Sequence, residues 1–235
     1  MVFSAVVFDL FHTIVDPEDF SPKDYRRPDI VAGLLGVDAR EFSSYWSETL
    51  AVRNTSRSMT PIVLVEKFLE RNGVKYDQDV MVGVDYELGR FQDTALLKPR
   101  PEIVSALRTI ADRGIKMGLL TNCDEREVRQ WPNSPIAQFF HAACFSFDIG
   151  VRKPELKAYQ TVLASLGQES QKAVYVGDGG SNELEGANAS GFKLTVFMEG
   201  FVASNGLRKP SEIQEFRKVA DVSIRRLDEL VSTLS

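Results

Sequence analysis

Ser4-Ala5-Val6-Val7-Phe8-Asp9-Leu10-Phe11-His12-Thr13 is the stretch whose reading decides the fold. An apolar run of four, from Ala5 to Phe8, suits a strand buried on both faces, as in the middle of a parallel sheet. Asp9 stands where that strand gives out, at the carboxyl edge where open α/β folds place their ligands. A carboxylate in apolar surroundings is costly to desolvate without a partner. On this stretch alone, an acid that caps the next turn is the simpler reading, and a site residue is the alternative. The remainder of the chain decides between them.

Downstream the pattern first turns helical. Asp16-Pro17-Glu18-Asp19 and Ser21-Pro22 break regular structure. Phe42, Tyr45, Trp46 and Leu50 then follow helical spacing, as do Ile62, Val65, Phe68 and Leu69 before Gly73, and Val80, Val84, Leu88 and Phe91. With no convincing strand among them, residues 16–96 read as an all-helical insert. Beyond it strands and helices alternate. Helices are expected at 101–113, 154–166, 182–190 and 227–234, and strands at 115–120, 142–145, 172–176, 192–198 and 219–224. Such alternation implies a parallel sheet covered on both faces. The expected organisation is a Rossmann-like, doubly wound α/β core over 1–15 and 97–235, with 16–96 as a helical cap.

Composition narrows the function. The 235 residues are 43% hydrophobic and 26% charged, ordinary for a soluble globular protein with an inserted subdomain. A net charge of −5 without a basic stripe argues against a general nucleic-acid partner. No apolar run approaches the ~18 residues of a membrane span. The first residues lack the cationic region of a signal peptide. Cys123 and Cys144 are too few for a disulfide framework and lack metal-ligand spacing, so a reducing, cytoplasmic setting is the default.

Right-handed crossovers bring the strand ends to one edge, where four polar signals gather. Asp9 follows the first strand, Thr121-Asn122 another, and Asp178 a third, while Lys153 precedes a helix. Each has an ordinary explanation: a helix cap for Thr121-Asn122, a turn former for Asp178, a solvated flank for Lys153. Their joint placement is much harder to obtain by chance.

The series F-D-L-F-H-T, L-L-T-N, R-K-P-E and V-G-D-G-G-S-N-E-L-E-G-A resembles the four motifs of the haloacid dehalogenase-like hydrolase superfamily. The insert after the first motif resembles that family's helical cap. The resemblance implies that Asp9 is the nucleophile, a role known for carboxylates. It also implies that Thr121, Asn122 and Lys153 hold the phosphoryl oxygens. A magnesium ion is expected on Asp9, Asp178 and the backbone carbonyl of Phe11, with Glu183 acting through water and Asn182 behind the site. Thr13 is expected to support the loop. The implied partner is a small phosphorylated metabolite.

The chain departs from the phosphatase pattern at one position. Phosphatases of the family usually carry a second aspartate two residues after the nucleophile, and here Phe11 stands there. General acid–base help is worth about 10²–10⁴-fold. An aromatic residue at that place also resembles the 2-haloacid dehalogenase branch, which works without metal and lacks Gly177-Asp178. Retention of Gly177-Asp178 and Glu183 favours magnesium-dependent phosphoryl chemistry over dehalogenation. A catalytically weak phospho-ligand-binding protein is the third reading. His12 is a candidate acid and base in place of the missing aspartate, or a structural hydrogen-bonding residue of the loop. On the cap, Tyr45, Trp46, Arg53 and Arg57 are possible site-facing residues. Arg53 and Arg57, one helical turn apart, could meet a substrate anion, or simply form a solvated face.

Overall fold

Six parallel strands build the sheet in a computed structural model that describes residues 3–234. They are β1 (Ala5–Phe8), β2 (Lys116–Thr121), β3 (Ala142–Phe145), β4 (Ala173–Gly177), β5 (Leu194–Met198) and β6 (Val222–Ile224), ordered β3-β2-β1-β4-β5-β6. The strand expected from Ala5-Val6-Val7-Phe8 is therefore central. Ala5 pairs with Lys116 on one side and Ala173 on the other. Two-residue alternation divides β1 between two cores. Val6 and Phe8 join Met117, Leu119, Val174 and Val176 under helices Pro101–Asp112 and Leu227–Thr233. Ala5 and Val7 face Tyr159, Val162 and Tyr175, on the side of helices Leu156–Leu166 and Glu183–Ala189.

The expected helices and strands are present, with ends shifted by a few residues. Two helices, Gly200–Asn205 and Pro210–Val219, stand where the hydrophobic pattern assigns none. The second has half-exposed apolar positions, and none of its residues is buried, so its periodicity is weak. Its start was nonetheless marked by Pro210 at the first helical position. Because that helix takes Val219, β6 begins only at Val222.

Between β1 and β2 the chain is helical: Arg27–Leu35, Ala39–Glu48, Leu50–Arg53, Pro61–Arg71 and Gln78–Leu97. These helices bury a cluster of their own, which includes Val31, Phe42, Trp46, Val65, Phe68, Met81, Val84 and Leu88. Asp38, Thr60 and Asp77 cap three of them through side-chain oxygens. At the margins of the insert, Asp16 bonds to His12 and Asn205, and Ala95 and Leu96 pack with the sheet. No helix among the described residues is long and apolar enough to cross a membrane.

Candidate active site

Parallel strands deliver their carboxyl ends to one edge, and a cavity of about 230 Å³ opens there. Asp9, Phe11, His12, Thr121, Asn122, Lys153, Asp178 and Glu183 all line it, joined by Glu127, Gly180, Ser181 and Arg208. Asp9 follows β1, and its amide donates to the Val176 carbonyl of β4 at 2.9 Å. Thr121 ends β2, and Asp178 follows β4. Asn182 is exposed and does not line the cavity. Ser181 and Asn182 take left-handed backbone angles, φ 56° and 52°. That turn carries Glu183 back beneath Lys153 and leaves Asn182 on the outside.

Lys153 is the hub. Its buried ammonium donates to Asp9 Oδ1 at 2.5 Å, to Tyr175 Oη at 3.1 Å and to Glu183 Oε2. These contacts use all three of its N–H donors. Burial alone would depress its pKa, and the Asp9 and Glu183 carboxylates overcome this to raise it. Burial raises Asp9 against the pull of Lys153, and pushes Glu183 up to about 8. Thr13, expected to support the loop, donates through Oγ1 to Asp9 Oδ2 at 3.1 Å and so touches the carboxylate itself.

Glu183 is held on every side. Tyr175 Oη donates to its Oε2 at 2.7 Å, and the Gly179 amide to its Oε1 at 3.0 Å. Gly177 is required here because a Cβ would collide with that carboxylate. Asn122 lines the cavity, and its side chain is engaged with the backbone of Lys153. Its Oδ1 accepts from the Lys153 amide at 2.8 Å, and its Nδ2 donates to the Lys153 carbonyl at 2.9 Å. Both polar ends of the amide serve the backbone of Lys153, so Asn122 positions the lysine.

Ligand atoms of Asp9, Asp178 and Glu183 lie within 4.8 Å of one another, all three residues buried. Lys153 faces Asp9 and Glu183 while Arg208 faces Asp178, and the three residues together offer a hard all-oxygen donor set of the kind that suits magnesium. The residues present therefore fit such an ion.

His12 lies in the loop beyond the end of β1 at Phe8, with φ 61°. Its Nδ1 lies 2.9 Å from Asp16 Oδ1. Burial lowers the imidazole pKa, but Asp16 more than reverses this and raises it. Phe11 lines the cavity with a side chain that carries no proton.

The arginines of the helical insert lie elsewhere. Arg53 is buried over the Trp46 ring, with its Nε 3.2 Å from Asp124 Oδ2 and its Nη1 2.5 Å from the Trp46 carbonyl. Arg57 is exposed and pairs with Asp148 at 2.5 Å. Neither lines the cavity: the helix Leu50–Arg53 ends at Arg53, so the two are not one helical turn apart, and each is bound to an acid, Asp124 in the loop after β2 and Asp148 in the short helix Ser146–Ile149. Trp46 belongs to the cluster of the insert, and Tyr45 packs against it while donating to the Leu64 carbonyl at 2.9 Å.

Tyr175, Glu127 and Arg208 were not singled out from the sequence. Tyr175 left a signal, a hydroxyl in an otherwise apolar strand three residues before Asp178. Arg208 left none, since it sits in the short connection between the two unassigned helices.

Comparisons with known proteins agree with this geometry. A glyceraldehyde 3-phosphate phosphatase of Methanopyrus kandleri is 31% identical over 131 residues, 54% of this chain and 55% of that one. The chain thus spans about half the length of that relative. A glyceraldehyde 3-phosphate phosphatase of Methanocaldococcus jannaschii is 25% identical, covering 97% of this chain and 95% of that one. Among solved structures, a HAD phosphatase from Thermococcus onnurineus superposes with a TM-score of 0.65 at 22% identity, covering 99% and 98% of the two chains. A 2-haloacid dehalogenase from Pseudomonas syringae gives 0.62 at 21%, over 100% and 98%. Residues 3–191 match the haloacid dehalogenase-like hydrolase family. With four motifs converging on one cavity, three of them at strand ends, and this match over most of its length, the chain belongs to the haloacid dehalogenase-like hydrolases.

Proposed function

We propose that this protein is a magnesium-dependent phosphatase of a small phosphorylated metabolite, with Asp9 as the nucleophile. One observation carries the reading: Asp9 touches a buried lysine on one oxygen while Asp178 and Glu183 close on it to metal-ligating distance. The similarity to glyceraldehyde 3-phosphate phosphatases of Methanopyrus and Methanocaldococcus supports it.

In this reading one Asp9 oxygen attacks phosphorus, the ester oxygen leaves, and an aspartyl-phosphate forms. Water then attacks that phosphorus and restores the carboxylate. The Lys153 charge neutralises the phosphoryl oxygens, and the Thr121 hydroxyl orients them. Thr13 holds the other Asp9 oxygen in place. Asp9, Asp178 and the Phe11 carbonyl would hold magnesium, with Glu183 behind them, and the ion would supply charge stabilisation to the phosphoryl oxygens. Phe11 cannot protonate the leaving group. His12, oriented by Asp16, is the neighbouring group on the cavity wall able to carry that proton. Residues 16–96 act as the cap over this edge. The two buried free thiols, Cys123 and Cys144, support a reducing, cytoplasmic setting.

The test is phosphate release from a panel of phosphate esters, with and without magnesium, by wild type and Asp9→Asn. Release that needs magnesium and disappears in Asp9→Asn is expected; release that survives the substitution refutes the reading. A dehalogenase is favoured by one observation, the aromatic Phe11 beside the nucleophile. Halide release from a 2-haloacid in the absence of metal would establish that alternative.

A further inference from the structure

We propose that Arg208 is the specificity residue of this site and that it selects a phosphorylated hydroxy acid, binding the carboxylate of a small ester whose phosphoryl group lies on Asp9. The inference rests on the phosphatase reading and names its substrate class.

Lys153 and Arg208 are the two lysine or arginine side chains among the described residues lining the cavity. The three donors of Lys153 are all occupied by Asp9, Glu183 and Tyr175. Arg208 has five N–H donors, and one bond holds it in place, from Nη2 to Asp178 Oδ2 at 3.1 Å. Its Nε is shut away from water with no hydrogen-bond partner, an arrangement that is costly unless a partner arrives with the ligand.

The turn after β4 is built around this side chain. A Cβ at Gly180 would stand 2.8 Å from Arg208 Nη2, and one at Gly179 would stand 2.6 Å from the Phe216 ring. The guanidinium lies 6.0 Å from the centre of that ring. The paired glycines Gly179-Gly180 thus admit Phe216 and, against it, Arg208. Arg208 also lies beyond residues 3–191, the stretch matched by the family.

No residue of 16–96 lines the cavity among those described, and Arg53 and Arg57 are tied to Asp124 and Asp148. Recognition of a second charge therefore falls to Arg208. A planar guanidinium matches a carboxylate fork in a way that an ammonium does not. A cavity of about 230 Å³ suits an ester of few carbons.

The test compares phosphoglycolate, the smallest such ester, with ethyl phosphate, its counterpart without the carboxylate. In wild type, kcat/KM for phosphoglycolate is expected to exceed that for ethyl phosphate by about tenfold or more, as a charged hydrogen bond allows. That ratio should collapse towards one in Arg208→Gln and recover partly in Arg208→Lys. A wild-type ratio near one, or a ratio untouched by Arg208→Gln, overturns the proposal. A second arm reads binding without turnover, by the rise in Tm of Asp9→Asn with magnesium and each ester. Phosphoglycolate should raise Tm more than ethyl phosphate, and Arg208→Gln added to Asp9→Asn should erase the difference; equal shifts in Asp9→Asn overturn the proposal. Absence of phosphate release from both esters in wild type would refute the phosphatase reading, and the binding arm alone would then decide the role of Arg208.

Discussion

At the sheet edge, charged side chains surround a space; along the seam between the insert and the sheet, the same residue types close one. Lys153 and Arg208 meet Asp9, Glu183 and Asp178 around the cavity. On the seam, Arg126 is almost fully buried and makes a fork to Asp93 at 2.9 and 2.7 Å, and its Nε donates to the Asp85 carbonyl at 2.8 Å. Arg129 reaches Asp85 at 2.7 Å, Arg53 reaches Asp124 at 3.2 Å, and Arg57 reaches Asp148. The loop after β2 thus bonds to the insert with its far part while its first residues, Thr121 and Asn122, serve the cavity. An arginine on an insert helix gains a substrate role only if no carboxylate of the neighbouring loops reaches it first.

This contrast predicts that edge substitutions lower turnover while seam substitutions lower stability. Lys153→Met is expected to have the largest effect, a loss of about 10²–10³-fold in phosphate release at saturating magnesium, the scale of a lost charge-stabilising donor. A loss below about tenfold would remove Lys153 from the chemistry. Gly89→Ala strikes the seam, because its Cβ would collide with the Arg126 guanidinium. Overpacking of this kind costs about 1–3 kcal/mol, to be read from urea unfolding, with KM retained; a raised KM at full stability would contradict the division of labour.

Asp124 supplies a pH test. Burial, reinforced by Glu127, pushes its carboxyl up to about 7 against the pull of Arg53. A carboxyl raised from its ordinary 3.8 contributes stability that is complete below that value and lost as pH rises through about 7. The Tm of Asp124→Asn should therefore gain on wild type between pH 4 and pH 8; a gap that is constant with pH would refute the assignment. Arg57→Ala is expected to have the smallest effect, under about 1 kcal/mol, because exposed ion pairs contribute little. A clear loss of substrate affinity in that variant would restore Arg57 to the site.

The edge was legible because Asp9, Thr121 and Asp178 directly follow or end apolar strands, and a parallel sheet makes that position a shared place. Asp9, Thr121 and Asp178 needed only the strands to be recognised. Lys153 needed the motif, since a lysine before a helix looks ordinary until its burial is known. Arg53 and Arg57 misled because their spacing describes one helix face, whereas the helix stops at Arg53, and the acids that claim them, Asp124 and Asp148, lie far along the chain. Arg208 was silent for the same reason: its meaning lies in the space left by Gly179 and Gly180.

The place of β1 has a consequence for assembly during synthesis. The strand carrying Asp9 is made first, yet its two neighbours, Lys116–Thr121 and Ala173–Gly177, emerge far later. The insert meanwhile can bury its cluster through contacts closer in sequence. Pairings between distant segments form slowly and leave apolar surface open while they wait. The earliest-made strand of this sheet is therefore among the last to be enclosed, and Asp9 has no ammonium beside it until Lys153 arrives.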